Sequence, residues 1–459
     1  MDEFNILETA EANGDGPAQA DLDKCVHCGL CLNACPTYRE LGIEMDSPRG
    51  RIYQMNRVAN GAPISESYIH HLDLCLACRG CETACPSGVP YGRLIEDARA
   101  QIKARERPSR WQRLVRKLVF ERLLPSRTAL QVAGALLYLY QITGLQRLVR
   151  TTSVLKLFGN LANLEALTPR AEIPFFYSQI GKTFPALGER RYRVAFLAGC
   201  VANVAFARLN EATVRVLARN GCEVVVPPAQ NCCGALHLHS GFKPQARDLA
   251  RKNIDAAPAD EFDAIITNAA GCGSTLKEYG HLLSSDTEYR DKAIAFTSKL
   301  KDVTEFLAGI DLNPEMGAVE LIATYQDSCH LAHGQKIKAA PRKLLKAIPG
   351  LQFREMAMAD LCCGSAGIYN IAQNQMAMRI LQHKMENVVA TGASLIVTAN
   401  PGCMLQLAAG ARLFGKAQEV AHVVQVLDRA YRNYTTGART SASEAIQSSA
   451  ASSSQNLGL

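Results

Sequence analysis

Short apolar runs separated by helical patterns fill the chain beyond residue 190. The runs RVAFLAGC and LIATYQDSC end at Cys200 and Cys329, and the runs IITNAAGC and LIVTANPGC end at Cys272 and Cys403. Apolar runs of this length predict buried strands. The segment NEATVRVLARNG between two of them has helical spacing and a terminal glycine typical of a helix cap. Alternating strands and helices predict an α/β fold with a small parallel sheet.

This pattern occurs twice, which predicts two homologous repeats. The triplet Cys-Cys-Gly stands in NCCGAL and again in LCCGSAG, and all cysteine landmarks recur at offsets of 129 to 131 residues. The cysteines lie at the predicted carboxyl ends of strands, where α/β folds bind ligands. The first repeat has Cys200, Cys232, Cys233 and Cys272, and the second has Cys329, Cys362, Cys363 and Cys403.

Eight further cysteines form two runs near the amino terminus. CVHCGLCLNACP and CLACRGCETACP both follow the spacing C-x2-C-x2-C-x3-C-P, which is typical of two [4Fe–4S] clusters and not of zinc sites. In such runs the fourth cysteine of each ligates the other cluster. The spacing therefore predicts one cluster on Cys25, Cys28, Cys31 and Cys85 and another on Cys75, Cys78, Cys81 and Cys35. The intervening residues look helical, so we expect a helical variant of the ferredoxin module.

The sequence determines what the two Cys-Cys-Gly repeats bind less clearly than it determines the two amino-terminal cluster sites. Adjacent cysteines rarely bond to each other because a vicinal disulfide strains the backbone. Glycine allows a backbone angle that other residues avoid. Four thiolates suffice for one iron–sulfur cluster in each repeat. The alternatives are zinc in one site, or a group of structural thiols without metal. Cys222 has no counterpart in the second repeat and is interpreted as a buried structural cysteine.

Composition places the chain among reduced, globular proteins. Hydrophobic residues make up 48% of its 459 residues, and the formal net charge is +7. Its 17 cysteines are not expected to form disulfides in a cytoplasmic protein. The amino terminus lacks the pattern of a secretory signal, and no apolar run reaches 18 residues. These features predict a cytoplasmic protein.

A basic segment separates the amino-terminal cysteines from the repeats. Residues 99–127 contain ten Lys or Arg against Glu106 and Glu121, and Trp111 lies among apolar residues at helical spacing. Three interpretations stay open: a solvated helix packed on its own protein, a docking site for an acidic partner, and a contact with an anionic membrane. No helix-turn-helix pattern supports binding to nucleic acid.

These observations predict an α+β multidomain protein, with a helical ferredoxin-like module followed by two homologous α/β cysteine-rich repeats. We expect disordered residues at 1–20, the two-cluster module at 21–98, a basic helical connector at 99–190, the first repeat at 191–315, the second at 316–432, and a disordered Ser-rich tail at 433–459.

The sequence offers no catalytic residues for oxidising a substrate. No G-x-G-x-x-G opens a helix after a strand, so neither a flavin nor a nicotinamide site is predicted. No nucleophile arrangement stands out either. Clusters held close together move single electrons, so the chain is expected to conduct electrons for a reaction on another polypeptide.

At the level of whole motifs, the chain resembles the cysteine-rich domain family. Heterodisulfide reductase subunits, the anaerobic glycerol-3-phosphate dehydrogenase small subunit and lactate-utilisation iron–sulfur proteins share this family. Within that family it is most similar to the glycolate oxidase (glycolate dehydrogenase) iron–sulfur subunits. The resemblance rests on CVHCGLCLNACPTY, DSPRGRIYQM, CETACPSGVPYG, GCGSTLKEYG, LCCGSAGIYN and IVTANPGC. It extends from about residue 20 to residue 430.

The resemblance implies a subunit that passes electrons from an FAD-binding subunit, which oxidises glycolate to glyoxylate, to a quinone-type acceptor. FAD would lie on the partner only, and the complex would be peripheral on the inner face of the cell membrane. Lactate or glycerol 3-phosphate is the alternative substrate, and an iron–sulfur redox sensor is the alternative class.

One departure from the resemblance concerns the repeats. Heterodisulfide reductases end each repeat in C-x-x-C, which gives five cysteines. Here Thr275 and Gln406 stand at the last position. Ligation by five cysteines is therefore not expected, and the metal content of each repeat stays open.

Overall fold

The computed structural model describes residues 16–152, 165 and 167–436. The disorder predicted for both termini therefore lies outside the described residues, except at 16–20 and 433–436. Residues 433–436 continue the helix that begins at residue 423, contrary to the disorder predicted for them. Within these ranges, no helix is both long and apolar enough to cross a membrane.

The amino-terminal module is helical, as predicted. Its helices are α1 (Gln19–Leu22), α2 (Pro36–Leu41), α3 (Pro48–Ala59), α4 (Glu66–Asp73), α5 (Gly80–Thr83) and α6 (Tyr91–Arg105), with a 3-10 turn at Glu44–Asp46. Ser47 and Ser65 cap α3 and α4 by accepting hydrogen bonds from backbone N–H groups. Ile52, Leu72 and Ile95 are among the apolar side chains that close a core beside the cysteines.

A helical connector follows the module. It consists of α7 (Arg110–Arg116), a wider π-helical turn at Lys117–Leu123, α8 (Arg127–Ile142) and α9 (Leu145–Thr152). Phe120 is buried, and its ring packs against His237 and Phe242 of the first repeat. Gly134 of α8 lies against Val204, so close that a Cβ would overlap it. The connector is therefore fastened to the first repeat at two points.

The first repeat contains a five-stranded sheet of order β1-β3-β2-β4-β5. All neighbouring strands are parallel except β1, which runs antiparallel to β3. The strands are β1 (Thr183–Phe184), β2 (Tyr192–Phe196), β3 (Cys222–Val225), β4 (Ala264–Thr267) and β5 (Leu300–Asp302). The helices are α10 (Ala202–Ala205), α11 (Ala207–Arg219), α12 (Ala235–His239), α13 (Lys243–Ala256), α14 (Ala270–Lys277), α15 (Tyr279–Leu282), α16 (Arg290–Lys299) and α17 (Val303–Ala308), with 3-10 turns at Phe176–Gln179 and Ala259–Glu261.

The second repeat has an all-parallel sheet of order β7-β6-β8-β9, which matches the first sheet without its antiparallel edge strand. Its strands are β6 (Ile322–Tyr325), β7 (Gln352–Phe353), β8 (Leu395–Thr398) and β9 (Glu419–His422). A π-helical turn at His330–Gly334 is followed by α18 (Ala339–Lys346), α19 (Tyr369–Ala372), α20 (Asn374–Ala390), α21 (Pro401–Leu413) and α22 (423–436). The predicted fold class is confirmed.

The two repeats share one hydrophobic core. Val194 and Phe196 from β2 belong to the same buried cluster as Tyr325 from β6 and Val397 from β8. Arg215 of α11 forms two hydrogen bonds of 2.8 and 2.9 Å with Asp428 of α22. Because the sheets are packed on each other, the carboxyl ends of their strands can face a common space.

Candidate iron–sulfur sites

The two amino-terminal cysteine loops share an unusual backbone. The residue two after the first cysteine is left-handed in both loops, with φ of +55° at His27 and +51° at Ala77. The residue after the second cysteine is also left-handed, at Gly29 and Arg79. Residues other than glycine are strained in the left-handed region of backbone conformation, and such strain concentrates at functional sites. The repeated conformation bends each loop around the space that its thiols face.

The first predicted set of thiols converges on one cavity. Cys25, Cys28 and Cys31 line it together with Cys85, which comes from the second run. Apolar side chains such as Ile52, Val89 and Tyr91 complete the wall. Burial raises the pKa of the Cys31 thiol to about 11. A cation is therefore needed to hold this thiol as a thiolate, and iron supplies that charge.

The second predicted set lines a separate cavity nearby. Cys35 from the first run joins Cys75, Cys78 and Cys81 there, while Cys81 borders both cavities. The structure thus brings the thiols together in the crossed arrangement that the spacing predicts.

Arg51 places a buried positive charge beside the second set. Its side chain is 1% exposed, and it contacts Asp46 at 3.4 Å and the Cys35 Sγ at 4.0 Å. Burial alone would lower the pKa of Arg51, but the neighbouring Cys75, Cys35 and Asp46 outweigh it and raise that pKa. Arg49 instead borders the first cavity, where it pairs with Glu44 and is partly exposed.

The eight cysteines of the repeats line one common cavity of about 560 Å³. Within the first repeat, the Sγ atoms of Cys200 and Cys232 are 3.5 Å apart. Cys200 and Cys329 lie four residues beyond β2 and β6, and Cys272 and Cys403 lie in the first turn of α14 and α21, close to the strand ends that the sequence predicts. The paired cysteines of each triplet lie instead in the loops after β3 and β7, seven to ten residues beyond the strand. What the sequence did not predict is that both sets face each other. They are Cys200, Cys232, Cys233 and Cys272 on one side, and Cys329, Cys362, Cys363 and Cys403 on the other.

The glycine of each triplet makes this arrangement possible. Gly234 and Gly364 are both left-handed, with φ of +82° and +87°. A Cβ on Gly364 would lie 2.5 Å from the carbonyl oxygen of Ala377 in α20. On Gly234 the nearest atom, the Cα of Ala246, would be 3.3 Å away. The two turns have the same form, but the second is more tightly enclosed.

The thiol geometry suits polynuclear clusters better than single metal ions. In the described ranges, no group of three or more His, Cys, Asp or Glu side chains converges on a position for one ion. The thiols border larger cavities instead. The thiol of Cys362 and burial raise the pKa of Cys363 to about 12, so a cationic cluster is needed to hold these side chains as thiolates. Soft thiolates favour iron–sulfur clusters.

The position of the absent fifth cysteine is filled and buried in both repeats. Thr275 is 3% exposed and Gln406 is 0% exposed. The Oε1 of Gln406 accepts a hydrogen bond of 3.1 Å from Asn370, which borders the common cavity. Gln406 therefore supports the cavity wall where a further thiol would stand, and Thr275 is buried at the equivalent place in the first repeat.

The loop of the second cluster site is fastened to the second repeat. The Nε2 of His330 donates to the carbonyl of Ala77 at 3.1 Å, and the hydroxyl of Tyr369 donates to the carbonyl of Leu74 at 3.0 Å. Leu76 lines the common cavity. Burial lowers the pKa of His330 to about 3, so this imidazole is neutral and serves as a positioning group.

Two buried charged residues near the thiol sites are not predicted by the sequence. Lys384 is 3% exposed and donates to the carbonyl of Met358 at 2.6 Å, close to Cys362 and Cys363. Glu96 accepts from the Nδ1 of His239, which borders the common cavity. A charged residue inside the helical pattern of α20 was the available signal for Lys384. Nothing in the sequence marked Glu96.

Exchanging Cys85 for serine tests the crossed thiol sets. Because Cys85 lies with Cys25, Cys28 and Cys31, Cys85→Ser is expected to remove the same cluster signal as Cys28→Ser in electron paramagnetic resonance spectra of the reduced protein. Cys78→Ser should remove the other signal. A Cys85→Ser spectrum that matches Cys78→Ser would contradict the arrangement.

Replacing Arg51 tests its electrostatic role. Arg51→Met is expected to lower the reduction potential of the second amino-terminal cluster, because a buried positive charge favours the more negative reduced state. Unfolding should also become easier, by at most about 3–5 kcal/mol, since Asp46 loses its guanidinium partner and keeps the His71 imidazole at 2.9 Å. Redox titration followed by electron paramagnetic resonance and denaturant unfolding check both. Arg49→Met, at a partly exposed pair, is the control and should leave the free energy of unfolding nearly unchanged.

The two triplet glycines offer a matched comparison. Both variants force alanine into a left-handed conformation that costs about 1–2 kcal/mol. Gly364→Ala should lower the midpoint temperature of unfolding more than Gly234→Ala, because only its Cβ would meet a backbone oxygen at 2.5 Å. Gly364→Ala should also lower the iron and sulfide bound beyond the roughly eight of each that two [4Fe–4S] clusters hold. Equal effects from both variants would argue against the enclosure of the second turn.

Comparisons with known proteins match the same parts of the chain to iron–sulfur domains. Residues 21–89 match the family model of a 4Fe-4S dicluster domain, and residues 194–277 and 323–408 match a cysteine-rich domain. Residues 111–168 match the linker region of the glycolate oxidase iron–sulfur subunit. The described chain thus carries iron–sulfur cluster domains in the order that its sequence predicts.

Whole-length relatives extend this agreement. The probable glycolate oxidase iron–sulfur subunit of Bacillus subtilis is 44% identical, over 89% of this chain and 94% of that protein. The glycolate oxidase iron–sulfur subunit of Escherichia coli is 34% identical, over 90% and 95%. Lactate utilization protein A of Oceanobacillus iheyensis is 30% identical, over 51% of this chain and 96% of that protein. The chain belongs to the family of glycolate oxidase iron–sulfur subunits.

Proposed function

We propose that this chain is the electron-transfer subunit of a glycolate dehydrogenase complex. A partner subunit that binds FAD would oxidise glycolate to glyoxylate, which releases two electrons and two protons. The electrons would leave through this chain to a quinone-type acceptor, which takes up two protons as it becomes a quinol. The chain itself would hold no substrate-oxidising residue and would use neither NAD nor nucleic acid.

The contiguity of the thiol sites is the observation that carries this proposal. Cys81 borders both amino-terminal cavities, and Leu76 from the second loop borders the cavity of the repeats. Burial and the nearby Cys362 thiol both raise the pKa of the Cys78 thiol, which indicates that the second amino-terminal site and the second repeat lie close together. A chain of adjacent cluster sites is what stepwise electron transfer needs, whereas a sensor needs one exposed cluster.

The side chains of this protein hold and tune the clusters. Cys25, Cys28, Cys31 and Cys85 would hold one [4Fe–4S] cluster, and Cys35, Cys75, Cys78 and Cys81 the other. The two sets of four in the repeats would hold further iron–sulfur clusters. When bound, the clusters would take up and release single electrons. Arg51 supplies positive charge at the second site, and the apolar walls exclude water.

Glycolate is favoured as the substrate of the complex by the relatives that match nearly the whole chain. A lactate-utilisation relative matches only half of it. We further propose that the complex lies on the cytoplasmic face of the cell membrane, where a quinone is dissolved. Serving lactate or glycerol 3-phosphate is the alternative role within the same class.

The test is anaerobic purification of the tagged chain from its own host, followed by activity assays on everything that co-purifies. We expect a flavoprotein to co-purify and glycolate to reduce an artificial dye faster than D-lactate, L-lactate or glycerol 3-phosphate. Faster dye reduction with another donor would identify that donor, and not glycolate, as the substrate of the complex. A chain that purifies alone and has no donor activity would overturn the subunit proposal.

A second assay separates electron transfer through this chain from oxidation of the substrate. Cys362→Ser should abolish reduction of a water-soluble quinone analogue by the complex. It should leave the reduction of a dye that accepts electrons from the flavin unchanged. Cys222→Ala is the control, because Cys222 is 0% exposed in the shared core and lies outside the thiol sites. Equal quinone reduction by Cys362→Ser and Cys222→Ala would contradict the proposed route.

A further inference from the structure

The connector exposes an apolar ridge. Trp111 is 71% exposed, Leu114 56% and Leu118 59%, and with Val115 they stand at helical spacing on one face. None of the seven residues of α7 is buried. Burying such side chains is favourable, so a contiguous exposed ridge indicates a surface that something covers.

The ridge is held in place and is not a frayed helix end. Ser109 and Gln112 form a capping box at the start of α7, and Arg116 pairs with Glu106 at 2.5 Å. Just beyond the ridge, Phe120 is buried and its carbonyl accepts a 2.7 Å hydrogen bond from the Nε2 of His237. The protein therefore presents these apolar side chains on a fixed support.

A second set of apolar side chains is exposed on α8 and α9. Val132, Leu136 and Leu139 follow one face of α8, opposite the buried Gly134, and Leu145 and Leu148 are exposed on α9. Of the 24 large apolar side chains exposed in the described ranges, ten lie between residues 111 and 148. The apolar exposure of this chain is concentrated in the connector.

The charge around these exposed side chains is positive. Residues 105–152 contain ten Lys or Arg against Glu106 and Glu121, and no Asp or Glu occurs from residue 122 to residue 152. Arg110, Arg113 and Lys117 are exposed next to the ridge. Whatever covers the connector must offer apolar contact and negative charge together.

We propose that the connector docks this chain on an anionic lipid bilayer, with Trp111, Leu114 and Leu118 inserted at the interface. A helix that lies in the interface buries its apolar face between headgroups and acyl chains, while its basic residues contact anionic headgroups. Tryptophan is enriched at this depth. Exposed apolar side chains rimmed by arginine and lysine match this surface better than an acidic protein patch, which would leave the apolar ridge in water.

A second cavity links the docking surface to the cysteines. Tyr138, Ile142 and Gln146 of the connector border a cavity of about 660 Å³. This cavity and the eight-cysteine cavity have lining residues in common: Thr168, Pro169, Phe206 and Leu405. If α8 and α9 face the same bilayer as α7, this cavity would bring an opening toward the thiol sites near a membrane-dissolved acceptor. This last step rests on the proposed function, whereas docking itself does not.

Flotation of the anaerobically purified holoprotein with lipid vesicles tests the proposal. We expect binding to vesicles of phosphatidylcholine and phosphatidylglycerol, weak binding to phosphatidylcholine alone, and release at high salt. Trp111→Ala/Leu114→Ala/Leu118→Ala should abolish flotation. Arg110→Gln/Arg113→Gln should weaken it by about fivefold for each arginine, because a basic residue near an anionic surface contributes about 1 kcal/mol.

Matched controls remove the same groups elsewhere. Leu187 and Ile294 are exposed apolar residues outside the connector, and Lys252 and Lys416 are exposed cations. Leu187→Ala/Ile294→Ala and Lys252→Gln/Lys416→Gln should float like the parent protein. Flotation that is equal for the connector variants and these controls would overturn the proposal. So would a triple variant that still floats but loses its flavoprotein partner, since the ridge would then be a protein interface.

The outcome is independent of the electron-transfer proposal. Flotation uses no substrate, and dye reduction by the soluble complex uses no lipid. A triple variant that reduces dye normally but fails to float supports docking. A parent protein that floats without any donor activity would retain the docking surface and refute the enzymatic role.

Discussion

The structure depends on gathering thiols from distant parts of the chain around shared cavities. Sixteen cysteines from the module and both repeats border cavities that meet where the loop 74–83 touches the repeats. A buried thiolate without a cation costs free energy, as the raised pKa values of Cys31 and Cys363 indicate. Folding and cluster binding are therefore linked, because the shape that brings the thiols together becomes favourable when iron compensates their charge.

Spacing predicted those parts of the site that lie close together in the chain. The C-x2-C-x2-C loops and the glycine of each triplet depend on local backbone geometry, which a few residues determine. The crossed fourth cysteines lie far apart in the chain, but the repeated C-x2-C-x2-C-x3-C-P run has a characteristic ligation pattern that predicts them. The repeat offset likewise predicted two sheets with cysteines at their strand ends. The resemblance of the motifs added the family. None of this required knowledge of how distant segments pack.

The common cavity and the buried charges could not be predicted, because both arise from packing between units. The two repeats share one core through side chains such as Phe196 and Tyr325, and only that packing turns both sets of thiols toward one space. Arg51 lies two residues from the partly exposed Arg49, and nothing in the sequence indicates which of the two arginines is buried. Burial distinguishes them, since the α3 helix presents Arg51 to the cysteines and Arg49 to solvent-accessible Glu44.

The repeats have the same fold but different electrostatics. Position 384 corresponds to position 253 at the offset of 131 residues, and the second repeat has a buried lysine where the first has asparagine. Asn253 donates to the carbonyl of Cys232 at 2.9 Å, while Lys384 lies close to the thiols of Cys362 and Cys363. An ammonium group favours the more negative state of a neighbouring cluster more than an amide does. A cluster held in the second repeat, which also contacts the module through His330 and Tyr369, would therefore have surroundings that favour its reduced state more than those of the first repeat.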